Sequence, residues 1–164
     1  MDSRAERVNK GIRSHARNHK SANSKPRAAS HAVFVWPVRV YYEDTDLGGV
    51  VYHANYLRFM ERARTEWLRR MGFEQDTLRE RLGVQFVVVG MQLDFHRPAR
   101  FNDRLEVQVA IMGMKRASLV FGQSIHAVSA GNALVCSAEV RVACVDSVTI
   151  KPQPLPREIV AELH

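Results

Sequence analysis

Apolar and polar positions begin to alternate at Val33 and continue to Tyr42, with Val38, Val40 and Tyr42 in phase, which predicts a strand. Pro37 marks an edge or a bend near its start. From about His53 to Met71 the spacing changes to three and four. Tyr56, Phe59, Met60, Ala63, Trp67 and Met71 fall on one buried face, while Arg58, Arg62, Arg64, Glu66 and Arg69 fall largely on the other. Gly72 is placed to end this helix, a rod of about 28 Å at ~1.5 Å per residue. A shorter helical piece follows at Gln75 to Arg81, and then four runs return to period two: Val87 to Phe95, Leu105 to Ile111, Ser118 to Val128 and Leu134 to Cys144. Gly131-Asn132 between the last two signals an antiparallel hairpin.

One strand, one long helix and four strands predict an α+β domain over residues 31–164, with the helix packed on one face of an antiparallel sheet. A single helix is too narrow to cover five strands. The edges and face it leaves bare predict a homo-oligomer, most simply a two-fold dimer.

The net charge of +7 changes this picture little, because residues 1–30 carry +6 of it and the remaining 134 residues only +1. A near-neutral body argues against an extended phosphate-tracking face, hence against nucleic-acid binding. The first 30 residues lack apolar runs and are rich in Arg, Ser, Asn and Ala, so they are expected to be a disordered basic tail; they also lack the apolar core of a secretory signal. No stretch approaches the ~20 apolar residues of a transmembrane helix, so a soluble protein is expected. Cys136 and Cys144 lie eight residues apart in one predicted strand, roughly 26 Å at ~3.3 Å per residue. They cannot pair with each other, and two buried free thiols suit a reducing cytoplasm.

The chemistry concentrates between Tyr41 and Tyr56. Glu43, Asp44 and Asp46 precede the Gly48-Gly49 pair, and the chain then enters the amino end of the long helix. Helix-leading N–H groups polarise a carbonyl and hold the oxyanion formed on attack, a facing carboxylate acts as nucleophile or base, and glycines admit a ligand close to the backbone. The plain alternative is a solvated, capped turn. A metal site from Glu43, Asp44, Asp46 and His53 matches no standard ligand spacing.

The string VRVYYEDTDLGGVVYHANYLRFMERARTEWL resembles the 4-hydroxybenzoyl-CoA thioesterase family of the hot-dog superfamily, in particular its Tol-Pal-associated acyl-CoA thioesterase branch. The likeness runs from about Trp36 to about Leu163 and includes Met112 to Phe121, Val142 to Asp146 and Lys151-Pro152. It implies a hot-dog fold, hydrolysis of acyl-CoA or acyl carrier protein thioesters, no metal or organic cofactor, and active sites at the interfaces of dimers or tetramers. It puts the catalytic aspartate, second in D-x-D-x-x-G, on Asp46 and the oxyanion-binding amide on His53. The pantetheine and phosphate contacts fall on Lys115, Arg116 and Ser118; Gly49, Val51, Tyr52 and Asn55 join them as substrate-binding positions. Leu47 departs from the small residue common there and bears on pocket shape. The branch also implies a place at the inner membrane.

Of the remaining candidates, Asp44 is expected to cap or brace the loop, the His53 imidazole to protonate the leaving thiolate, and Tyr56 to belong to the buried helix face. Glu61, mid-helix, is expected in a surface ion pair, and His96 and His126 as ordinary strand residues. The rival function is a non-catalytic acyl-binding or scaffolding subunit for lipid synthesis or the Tol-Pal system. Against it, a binder needs no carboxylate beside a carbonyl.

Overall fold

The computed structural model describes residues 33–163, so the basic tail read over residues 1–30 lies outside the described residues. The elements are β1 (Phe34–Arg39), α1 (His53–Arg70), α2 (Gln75–Leu82), β2 (Val84–Phe95), β3 (Arg104–Lys115), β4 (Ser118–Ala127), β5 (Ala133–Asp146) and α3 (Arg157–Glu162). The strands form one antiparallel sheet in the order β1-β3-β4-β5-β2. This is the α+β architecture the period changes predict. Helix α3 is an addition: at six residues it is too short for periodicity to report, yet Leu155, Ile159 and Leu163 bury their side chains around it.

The core forms where α1 crosses the inner face of the sheet. Phe59, Met60 and Ala63 on the helix pack with Leu105, Val107, Val109, Phe121, Ile125 and Val140 on the strands, all 3% exposed or less. The Trp67 ring stands edge-on to Phe121. Gly83, in the left-handed region at φ 64°, ends α2 and turns the chain into β2.

Three readings of the pattern need correction. The first strand, expected to run to Tyr42, ends at Arg39, and Tyr42 stands exposed in a 3-10 turn. In β2 the register slips at a bulge between Val88 and Gly90, so Val84, Phe86 and Val88 face inward before it and Met91, Leu93 and Phe95 after it. The single in-phase row expected from Val87 to Phe95 is broken because one extra residue flips every later side chain. Arg64, expected on the solvent face of α1, instead turns toward the sheet, where its guanidinium donates to Gln123 Oε1 at 2.6 Å.

Helix α1 lies against the β1 and β3 side and α2 against β2, and the inward row of β5 from Cys136 to Cys144 is buried, so the exposed part of the inner face is on the edge strand β2. Inward-facing Val88, Met91 and Phe95 on β2 are therefore 50%, 37% and 55% exposed.

Candidate active site

The site is built on the segment between β1 and α1. Val40, past the end of β1, donates to Asp103 O and accepts from Asn102 N, both at 3.0 Å, which pins the segment to the loop before β3. The chain then makes a 3-10 turn over Tyr42–Asp44, and the buried Asp44 carboxylate accepts the Tyr41 N–H at 2.8 Å. Asp44 thus braces the loop from inside.

Asp46 stands at the base of a tight loop. Its N–H donates to Val50 O at 3.0 Å, its carbonyl accepts Gly49 N–H at 3.0 Å, and Oδ1 accepts Gly48 N–H at 2.8 Å. Gly49 sits at φ 69°, a left-handed conformation a side chain would strain. The second carboxylate oxygen accepts no hydrogen bond among the described residues, and the side chain is exposed in the single subunit.

Beyond the loop, Val51 N–H donates to Ala99 O at 2.8 Å and Tyr52 N–H to Asp44 O at 2.8 Å. Helix α1 then begins on Tyr52 as N-cap, with no side-chain cap and no acidic residue in its first turn. Asn55 N–H is taken by Tyr52 O, whereas the N–H groups of His53 and Ala54 meet no acceptor among the described residues. A helix start normally satisfies these groups with a Ser, Thr, Asp or Asn side chain. Left free, they form a positive pole for an incoming oxygen.

A cleft opens beside this pole, lined by Val51, His53, Tyr56, Phe95, His96 and Arg97. The exposed His53 ring lies 4.4 Å from that of Tyr52, centroid to centroid. Tyr56 is buried and its phenolic oxygen accepts Ala99 N–H at 3.0 Å. Burial raises its pKa despite that hydrogen bond, and the Asp46 carboxylate is among the charges that add to the rise. Asp46 follows Thr45, which bridges Val51 of the cleft wall, so the carboxylate loop and the cleft adjoin.

The other sequence candidates divide. Gly49 and Val51 contribute to the loop and cleft with their N–H groups already spent, Tyr52 caps the helix, and Asn55 is buried with its side-chain amide donating to Asp44 O at 3.0 Å. Lys115, Arg116 and Ser118 form the β3–β4 hairpin, with Lys115 opposite Ser118. Asp103, tied to the Asp46 segment, lies at the other end of β3; twelve residues at ~3.3 Å make that strand nearly 40 Å long, so one subunit does not bring the hairpin to Asp46. Glu61 makes no ion pair among the described residues and accepts the Thr65 hydroxyl at 2.9 Å, contrary to the expected surface pair. His96 is no ordinary strand residue: it stands just past β2, lines the cleft, and its Nε2 lies 2.8 Å from Ser137 Oγ. His126 does lie within β4, its ring next to Ser124 and Asn132. Cys136 and Cys144 are free and buried, and burial pushes the Cys136 thiol up to about 12.

Phe95 to Ala99 are site residues that sequence reasoning missed. No local signal marks them, since they join the cleft only because β2 ends beside the start of α1.

The model of the thioesterase-like superfamily matches residues 40–163. The acyl-CoA thioester hydrolase YbgC of Escherichia coli O6:H1 is 55% identical over 130 residues, covering 79% of this chain and 95% of that protein. The acyl-CoA thioesterase YbgC of Haemophilus influenzae is 47% identical over 132 residues, covering 80% and 94%. Among solved structures, a probable thioesterase from Bartonella henselae superposes with a TM-score of 0.71 at 36% identity, covering 76% of this chain and all of that one.

Proposed function

The chain belongs to the thioesterase-like superfamily, with its hot-dog fold, and from that ground we propose that it hydrolyses acyl-CoA thioesters with Asp46 as the catalytic carboxylate. The observation that carries this reading is the uncapped start of α1: among the described residues the His53 and Ala54 N–H groups meet no acceptor, next to the loop that holds Asp46. A thioester oxygen set against those amides makes its carbon more electrophilic, and the negative charge of the tetrahedral intermediate is held where the helix pole is strongest.

Asp46 then acts in one of two ways. Its free carboxylate oxygen attacks the carbonyl carbon, expelling thiolate and leaving an anhydride that water opens; or it takes a proton from water as that water attacks. Both routes end in carboxylic acid and thiol. The His53 imidazole, exposed at the cleft, is placed to give the leaving sulfur its proton. The thiol is coenzyme A or the equivalent arm of a carrier protein.

The reading includes a homodimer formed through β2. This strand is one of the two sheet edges and carries Val88, Met91 and Phe95 half-exposed on its inner row, each worth about 1 kcal/mol more once the rest is buried. Residues Ser118 and Ala143 pair near the Val84 end of β2, whereas Phe95 lies at the cleft end. A two-fold axis through the middle of β2 exchanges those ends. The Lys115, Arg116 and Ser118 hairpin of a second copy then lies at the same end as Asp46, where cations suit the phosphates of coenzyme A.

The test is thiol release from acyl-CoA by wild type and Asp46→Asn. Turnover by wild type and its loss in a variant that keeps its oligomeric state and melting temperature support the assignment. Retained turnover in the variant removes Asp46 from the mechanism. Absence of turnover by wild type on any chain length favours the acyl-binding alternative.

A further inference from the structure

The turn after β5, from Ser147 to Ile150, holds two apolar side chains out in solvent: Val148 is 86% and Ile150 52% exposed. Three described residues other than glycine adopt the left-handed conformation, and two of them, Asn102 and Asn132, are asparagines, which tolerate it. Ile150, at φ 58°, is branched at Cβ and does not. The turn is nevertheless tightly held. Asp146 Oδ1 accepts the Val148 N–H at 3.1 Å, the Thr149 N–H at 2.7 Å and the Thr149 hydroxyl at 2.9 Å, and the Ile150 N–H donates to Asp146 O at 3.0 Å. Asparagine or glycine would hold the same turn with less strain, so the local backbone does not account for an isoleucine. A contact made by its side chain outside the single subunit does.

The place of the turn identifies that contact. Ser147 N–H donates to Gly83 O at 2.8 Å, which ties the turn to the residue before β2, and Val84 pairs with Asp146. In the dimer described above, a two-fold axis through the middle of β2 sets the Val84 end of one copy beside the Phe95 end of the other. Phe95 is the residue of that strand that lines the cleft. Neighbouring strands lie about 4.8 Å apart. Counting outward from Phe95, the second copy's β2 comes first, its β5 with the turn comes second at about 10 Å, and its β4 with the Lys115-Arg116 hairpin comes third. The turn has no charged residue from Ser147 to Ile150, and it stands nearer the cleft than the hairpin cations do. Val51, Phe95 and Pro98, the apolar part of the cleft, lie open on that side in the single subunit.

We propose that Val148 and Ile150 of the partner subunit close the cleft and form the end wall of an aliphatic acyl pocket. The assignment rests on the thioesterase reading and its β2 dimer, and adds to them the substrate class: an uncharged acyl chain whose length the turn limits. The order along the seam matches such a substrate, with the acyl chain against the apolar turn and the phosphates against the cations farther out. Val148 and Ile150 are specificity-determining residues, in contact with the chain and not with the reacting carbonyl.

The test is a length series of straight-chain acyl-CoA esters, with full-length wild type, Ile150→Gly, and Ile150→Gly combined with Val148→Ala. Glycine is at ease at this φ, so the turn survives the substitution. A hydrophobic wall separates acyl groups that differ by one methylene by about tenfold or more. Its removal should move the optimum to longer chains, and kcat/KM for an ester two carbons beyond the wild-type optimum should rise about tenfold relative to the optimal ester. An unchanged profile, or loss by one factor at every length, overturns the inference. Action across the interface is read from a mixed dimer, purified on two tags, in which one copy carries Asp46→Asn with an unaltered turn and the other carries Asp46 with the altered turn. Its working site then takes the unaltered turn from the other copy and should show the wild-type profile. The shifted profile puts the turn in its own subunit's site and overturns the inference, as does a mixed dimer without activity. If wild type cleaves none of the esters the thioesterase reading fails, and if it cleaves them as a monomer the dimer fails; this inference falls with either.

Discussion

The buried side-chain amide of Asn55 donates to the backbone carbonyl of Asp44 at 3.0 Å, and that same carbonyl takes the Tyr52 N–H at 2.8 Å. The acidic loop and the start of α1 are thereby locked together. Asn55→Ala removes one of the two hydrogen bonds to that carbonyl and is expected to cost about 0.5–1.5 kcal/mol, seen as a lower melting temperature. Turnover falls as well, since the Asp46 loop keeps only the Tyr52 N–H as its tether to the helix. Unchanged stability would show that the contact contributes nothing.

Asp46→Asn keeps an Oδ1 that can accept the Gly48 N–H, so the loop survives while the charge is lost. Thiol release should drop at least 100-fold, with size-exclusion profile and thermal midpoint close to wild type. An activity loss accompanied by dissociation would point to a structural role instead.

Gly49 is at φ 69°, and among the described residues no atom beyond its chain neighbours lies within 4 Å of where its Cβ would stand, so the expected cost of Gly49→Ala is one of backbone conformation alone. About 1–2 kcal/mol of destabilisation follows, and Gly49→Asn, which tolerates this region better, should lose less. Chemical denaturation of the three proteins ranks them directly.

Burial holds the Cys136 thiol up to about 12 in the folded protein, against 9.0 for a free thiol. Above pH 9 the unfolded chain gives up this proton while the native state keeps it, so native stability is undiminished by this group below pH 9 and declines between about pH 9 and 12. Tyr56, also raised, acts in the same direction at the upper end. Denaturation midpoints measured across that range should fall less steeply in Cys136→Ala. Neither Cys136 nor Cys144, the two cysteines of the chain, should react with a thiol reagent until the protein is unfolded.

Removing the apolar row on β2 tests the dimer. Val88→Lys combined with Phe95→Lys places two charges on side chains that are half-exposed in the single subunit. The subunit should still fold, but equilibrium sedimentation should report monomer and thioester hydrolysis should fall sharply. A dimer that survives both substitutions moves the interface away from β2.

The local terms of this fold are written in the chain. Alternation marks the strands, three-and-four spacing marks α1, Gly72 marks its end, Gly131 marks a turn, and the run from Glu43 to His53 announces a carboxylate loop entering a helix, because each depends on neighbours a few residues away. What needed the folded chain were relations between distant segments. The bulge after Val88 decides which β2 side chains face inward, and the end of β2 brings Phe95 and His96 to the start of α1. The turn of Arg64 toward Gln123 joins residues 59 apart, and the length of β3 separates the Lys115 hairpin from Asp46 within one subunit. Periodicity specifies which face of an element is apolar; only strand register and the placing of one element on another specify what that face meets.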